Sequence, residues 1–226
     1  MQSTAQLDTP VVFFIYHRPE TTRKVFEQIK KVRPRQLFIF ADGWKDQQDM
    51  ARCSETRAMV ETISWPCEVR RDYLVENVGD RARCTSGLNS TFERVDRAII
   101  LEDDTVPDVS FFYFCQEMLN RYYDTERVMH VGGTNFLQGL QPTSSPITGD
   151  SYYFSRLPIV WGWATWRRAW QKYDPMMKQW PETRTRLSLL SSDKKVLAVL
   201  REMFERAYRD TRLVVTPPLL GWDHQW

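Results

Sequence analysis

The chain has 226 residues, 42% of them hydrophobic and 13% aromatic, with 31 Lys and Arg against 29 Asp and Glu and a formal charge of +2. This composition supports one substantial core and excludes intrinsic disorder, and the near-balance of charge excludes recruitment of nucleic acid by bulk field, so any phosphate must be held locally. The longest apolar run, Val11 to Ile15, falls far short of the roughly 20 residues of a spanning helix, and the polar segment before it lacks a signal-peptide layout. A cytoplasmic chain without a membrane span is expected, with peripheral contact to a membrane still open.

Pro10 to Tyr16 reads as a buried parallel strand, being short, apolar and rich in Val, Ile and Phe. Thr21 or Thr22 then caps a helix whose apolar positions Val25, Phe26, Ile29 and Val32 follow the 3.6-residue period up to Pro34. Leu37 to Phe40 is a second strand, closed by Ala41-Asp42-Gly43. Ser54 to Ile63 reads as helix, Val69 to Tyr73 as strand, and Leu88, Phe92 and Val95 as one face of a third helix. Ala98 to Leu101 is another strand, and Phe111, Phe114, Cys115, Met118, Leu119 and Tyr122 stripe the helix after it. Such alternation predicts an α/β three-layer sandwich with a mostly parallel central sheet.

Beyond Gly132-Gly133 the alternation stops. Gln141 to Asp150 is rich in Pro, Ser, Thr and Gly, and two Trp-rich segments follow. Trp166, Trp170 and Tyr173 suit a core-facing helical stripe, whereas Trp161 and Trp163, around Gly162, suit a loop in which indoles stack on sugar rings. A last helix is expected from about Asp193 to Ala207, with Val196, Leu197, Leu200, Met203, Phe204 and Ala207 turned inward. One domain over residues 1–226 is expected, in two halves, 1–104 and 105–226. The closing cluster Gly221 to Trp226 suggests a chain cut short of a longer enzyme. Cys53, Cys67, Cys84 and Cys115 lack paired C-x-x-C spacing and are expected as reduced thiols.

Ligands of open parallel sheets bind at the carboxyl ends of the strands. Three polar clusters fall there: Tyr16-His17-Arg18, Ala41-Asp42-Gly43 and Glu102-Asp103-Asp104. Three consecutive carboxylates repel one another unless neutralised, and Mg²⁺ or Mn²⁺ does this while keeping positions open for phosphate. The residues alone leave a second reading, an acidic turn at the N-terminus of the next helix.

The stretch Ile99 to Asp104, followed by Pro107, Phe111-Phe112 and Phe114, resembles the aspartate motif of type A glycosyltransferases, the nucleotide-diphospho-sugar transferase fold. It is especially similar to the eukaryotic N-acetylglucosaminyltransferases of the complex N-glycan pathway and to bacterial family-2-like transferases, some called hemolytic-protein-like. The bacterial likeness runs through Arg18-Pro19-Glu20-Thr21-Thr22, Ala41-Asp42-Gly43, Cys53-Ser54-Glu55, Glu76-Asn77-Val78-Gly79, Tyr152-Tyr153-Phe154-Ser155, Trp161-Gly162-Trp163-Ala164-Thr165-Trp166 and Trp222-Asp223.

That resemblance implies a metal-dependent, inverting transferase moving a sugar from a nucleoside-diphosphate donor, UDP by family analogy, to a hydroxyl of a glycan or lipid-linked acceptor. Asp104 would hold the Mn²⁺ or Mg²⁺, and Glu102 and Asp103 would contact the ribose, base or sugar of the donor. Asp42 would bond the nucleobase, Tyr16 and Arg18 would flank the nucleotide, and Trp161, Gly162 and Trp163 would lie near sugar and acceptor. Asp223 would be the catalytic base, and residues 1–104 and 105–226 would be the nucleotide-binding and acceptor halves. The pair Asp80-Arg81 after Gly79 departs from the related pattern, leaving a phosphate-approaching loop or a plain capped turn.

Plainer readings stand beside these: Arg18 paired with Glu20, Asp223 as a helix cap, and His17, His130 and His224 without a role. Two other functions also fit the sequence. A nucleotidyltransferase shares the α/β layout but needs a Gly-rich loop after the first strand, which Tyr16-His17-Arg18-Pro19 lacks. A non-catalytic glycan- or nucleotide-binding module would bind donor without turnover.

Overall fold

The computed structural model describes residues 6–135 and 151–210. Strand β1 (Val11–Ile15) is followed by α1 (Pro19–Val32), β2 (Gln36–Ala41), α2 (Gln47–Met59), β3 (Glu68–Tyr73), α3 (Asp80–Phe92), β4 (Arg97–Glu102) and α4 (Val109–Arg121). After these come the short strands β5 (Val131–Gly132) and β6 (Trp163–Trp166), the single turns α5 (Arg167–Trp170) and α6 (Trp180–Thr183), a 3-10 segment Arg184–Leu189, and α7 (Lys194–Asp210). The six-stranded sheet runs β3-β2-β1-β4-β6-β5. Its first four strands are parallel, while β6 pairs antiparallel with both β4 and β5. The sheet is therefore mixed, a reversal at one edge that the regular alternation of the first hundred residues does not announce.

Every residue of β1 is buried, so successive side chains feed two different cores. Val11, Phe13 and Ile15 pack with Val25, Phe26 and Ile29 of α1 and Phe112 and Cys115 of α4, while Val12 and Phe14 pack with Leu88 and Phe92 of α3 and Trp170 of α5. Helices thus cover both faces, giving the expected sandwich. A third, smaller cluster joins Trp180, Leu187 and Leu200, with Leu197 and Phe204 packed against it. It hangs on α3 through an ion pair of low exposure, Arg81 Nη2 to Asp210 Oδ2 at 2.9 Å.

Several expected boundaries shift for local reasons. Helix α1 starts at Pro19, whose fixed φ and missing N–H suit the first turn, with Arg18 as N-cap, while Thr22 is fully buried and caps nothing. Helix α2 begins seven residues before Ser54, where Asp46 accepts the Asp49 amide at 2.9 Å; its polar first turns carry no apolar period. Val95 lies beyond the end of α3.

The Trp-rich segment is strand, not helix or loop, between Trp163 and Trp166. Trp166 and Trp170 sit in different cores, Trp166 donating to Leu119 O at 3.1 Å and Trp170 to Asn89 Oδ1 at 2.8 Å. In α7, Leu200 and Ala207 turn inward as expected, but Val196 and Met203 are exposed. Arg168 of α5 gathers the turn after α4: its guanidinium donates to the carbonyls of Tyr122, Tyr123, Thr125 and Val128 at 2.9–3.1 Å and lies over the Trp166 ring. Among the described residues no helix is long and apolar enough to cross a membrane.

Candidate functional site

In this strand order β2 lies on one side of β1 and β4 on the other. Strands β1 and β4 are parallel neighbours, so their carboxyl ends, the edge at which open α/β sheets hold ligands, lie side by side, with α1 and α4 packed together on one face. Tyr16 and Arg18 follow β1, and Asp103 and Asp104 follow β4. The structure brings all four together.

Asp103 is the anchor. Its side chain is only 4% exposed; Oδ2 accepts the Tyr16 amide at 2.8 Å and Oδ1 accepts Arg18 Nη1 at 3.0 Å. Burial pushes its carboxyl above the ordinary value in spite of those donors. The same Arg18 Nη1 reaches Asp104 Oδ2 at 2.7 Å, and Asp104 is 45% exposed. Burial works against the Arg18 charge, but Asp103 and Asp104 more than offset it and hold the guanidinium above its ordinary value. Glu102 ends β4 opposite Phe14 of β1. It is Arg52, not Arg18, that pairs with Glu20, at 3.0 Å.

Tyr16 is held from a second side. Its hydroxyl donates to Asp49 Oδ2, which also accepts the Lys45 amide at 3.0 Å, while His17 Nδ1 stands 3.5 Å from Asp49 Oδ1. Burial, then the Asp49 carboxylate, drive the Tyr16 phenol up; burial opposes the Asp49 charge, yet the Tyr16 hydroxyl and the Lys45 amide keep that carboxyl below its ordinary value. Sequence reasoning missed Asp49. It lies in the polar first turn of α2, and a carboxylate spaced four residues after Lys45 carried the signal.

Asp42 is 7% exposed and saturated: Oδ1 accepts the Gly43 and Val78 amides at 2.8 and 3.0 Å, and Oδ2 accepts Asn77 Nδ2 and the Gly79 amide at 3.0 and 2.9 Å. A carboxylate offers about four lone-pair sites, so in this arrangement Asp42 shapes the Asn77–Gly79 loop and leaves no acceptor for a nucleobase. The two loops touch so closely that a Cβ on Gly43 would stand 2.2 Å from the Glu76 carbonyl carbon. Arg57 of α2, also missed, ties both loops by donating to Asp42 O at 2.8 Å and Leu74 O at 2.7 Å. Beside them a cleft of about 680 Å³ opens between Trp44, Lys45, Val75 and Asn77.

On the other side of the triplet, Gly162 (φ 69°) packs so that a Cβ there would meet Thr105 Cγ2 at 3.3 Å. Trp161 is thereby set beside the chain leaving the triplet, 59% exposed, while Trp163 is fully buried under the His130 ring. This corrects the expected loop position of Trp163: its indole has no open face for a sugar. Trp161 borders a cleft of about 1700 Å³ that starts at Thr105 and is walled by Phe111, Phe114, Tyr122 and Phe154. Asp223 and His224 lie outside the described residues, as does Gln141 to Asp150.

Among the described residues no three His, Cys, Asp or Glu side chains converge to enclose a metal ion. The Asp104 carboxylate is 45% exposed, an oxygen donor of the kind that Mg²⁺ and Mn²⁺ take. The four cysteines are unpaired thiols, and burial pushes those of Cys53 and Cys67 up to about 11, so none is primed as a nucleophile. No family model matches the chain, and no curated protein matches it.

Proposed function

We propose that the protein is a nucleotide-sugar glycosyltransferase of the type A kind, binding a UDP-linked donor across the loops after β1 and β4 and a glycan or lipid-linked acceptor in the cleft beside Trp161. The observation that carries this reading is the meeting of Asp103, Asp104, Arg18 and Tyr16 at the adjoining carboxyl ends of β1 and β4. A diphosphate needs cationic neutralisation there, and the chain supplies both an arginine and an open carboxylate that can bind a metal.

Within this reading Asp103 is a positioning residue. Its two oxygens fix the loop after β1 against the loop after β4, so the phosphates meet a preformed surface. Tyr16, braced by Asp49, offers a ring to the nucleoside. Asp104 would hold a divalent cation, which would supply neutralisation of the departing diphosphate. Trp161 presents an apolar face to a sugar ring next to the triplet. The acceptor hydroxyl must lose its proton to a carboxylate, and Asp223 is assigned that role from the resemblance.

Titrating UDP into the protein with and without Mn²⁺ tests the reading, with GDP and ADP as controls. Metal-dependent binding that favours one nucleotide is expected. Asp104→Asn should reduce that binding about 10–100-fold, the scale of loss when a metal site is perturbed, with the circular dichroism spectrum unchanged. Equal affinity in the presence of Mn²⁺ would remove Asp104 from the metal site.

A further inference from the structure

Asp104, the carboxylate that the proposed function gives to a divalent cation, and its neighbour Asp103 already have a cation of the chain's own. Arg18 uses a single nitrogen for both, 3.0 Å from Asp103 Oδ1 and 2.7 Å from Asp104 Oδ2. The two halves of this bridge differ. Asp103 is 4% exposed and its other oxygen is tied to the Tyr16 amide, so it cannot follow a moving guanidinium. Asp104 is 45% exposed and Arg18 itself 48% exposed, so their contact can open with little loss of packing.

The charges set the order of events. Asp103, Asp104 and Arg18 sum to about −1. A divalent ion arriving alone on Asp104 makes the sum about +1 and places two cations within about 5 Å, a repulsion that weakens binding about tenfold even in a water-like dielectric. With a diphosphate present the sum turns negative again, and the guanidinium, still anchored on Asp103, has phosphate oxygens to take in place of Asp104.

We infer that Arg18 is a built-in counter-ion that competes with the metal for Asp104 and yields it when a nucleoside diphosphate arrives, so that metal and nucleotide bind in concert and each binds weakly alone. This rests on the proposed nucleotide and metal site and specifies its regulation. Arg18 couples the two ligands, and the coupling is reciprocal: the factor by which UDP tightens Mn²⁺ equals the factor by which Mn²⁺ tightens UDP.

The test is calorimetric titration of Mn²⁺ and UDP, singly and together, into wild-type protein, Arg18→Gln and Asp104→Asn. Arg18→Gln should bind Mn²⁺ alone about tenfold tighter than wild type, by loss of the competing charge, and the coupling between Mn²⁺ and UDP should shrink. Unchanged or weaker Mn²⁺ binding by a folded Arg18→Gln protein overturns the inference while leaving the metal site standing. No Mn²⁺ binding by wild type or variant, with or without UDP, overturns both. Should the variant fail to fold, arginine-¹⁵N-labelled wild-type protein decides: the Arg18 guanidinium resonance shifts on saturation with Mg²⁺ and UDP together, and an unmoved resonance overturns the inference.

Discussion

Strand β1 and helix α7 are both apolar patterns laid on the same chain, with opposite results. All five residues of β1 are buried, their side chains alternating between two cores. In α7 only Leu200, Ala207 and Asp210 are buried, with Val199 57% exposed, and its apolar stripe serves a small cluster of its own. A strand between two helical layers has no solvent side, so its position is fixed twice over, whereas a helix on a satellite cluster is fixed by one stripe and an ion pair.

The sharpest way to test that contrast is to empty each cluster in turn. Phe112→Ala should destabilise the whole protein by about 3–5 kcal/mol, the cost of a large cavity in a packed core. Leu187→Ala should cost about 2 kcal/mol or less of global stability, since a shallow site can collapse. Chemical denaturation followed by tryptophan fluorescence measures both, and equal losses would show that the two clusters are one cooperative unit.

A smaller effect is expected at the link. Asp210→Asn removes one partner of the Arg81 pair and should raise amide exchange in α7 by about tenfold, corresponding to about 1–2 kcal/mol of local opening, with exchange in β1 and β2 unchanged. Uniform acceleration across the sheet would mean that α7 belongs to the main core.

An effect of similar size is a pH dependence at the edge of the sheet, beside β5. Burial pulls the His130 imidazole down to about 4, its Nε2 lying 2.9 Å from Ile159 O. The folded value lies below the unfolded one, so above about pH 6.5 both states are neutral and nothing is lost. As pH falls from about 6.5 to about 4 the unfolded chain takes a proton that the native ring refuses, costing about 1–2 kcal/mol after allowance for partial exposure. His130→Gln should flatten that part of the stability profile, as read by urea midpoints at pH 7 and pH 4.5.

The parallel half was legible because its signals are local and redundant: short apolar strands, amphipathic α1 and α4, and polar residues just past the strand ends. Tyr16, Arg18, Asp103 and Asp104 could be brought together from topology alone. What the sequence hides is how the polar groups are shared. Three of the four donors to Asp42 come from a loop 35 or more residues away, so its saturation depends on tertiary closeness. The strand β6 was missed because Trp163 to Trp166 is four residues long and flanked by aromatics that fit a helical stripe equally well. Its antiparallel pairing arises from contacts across the sheet that no residue period encodes.

Arg168 touches neither Trp161 nor the acidic triplet, yet three of the residues whose carbonyls it gathers, Tyr122, Thr125 and Val128, line the large cleft. The shape of that wall is thus governed from behind, by one side chain acting as a tie-rod. Changing its length, as in Arg168→Lys, would reshape the cleft from a position that is not part of its lining.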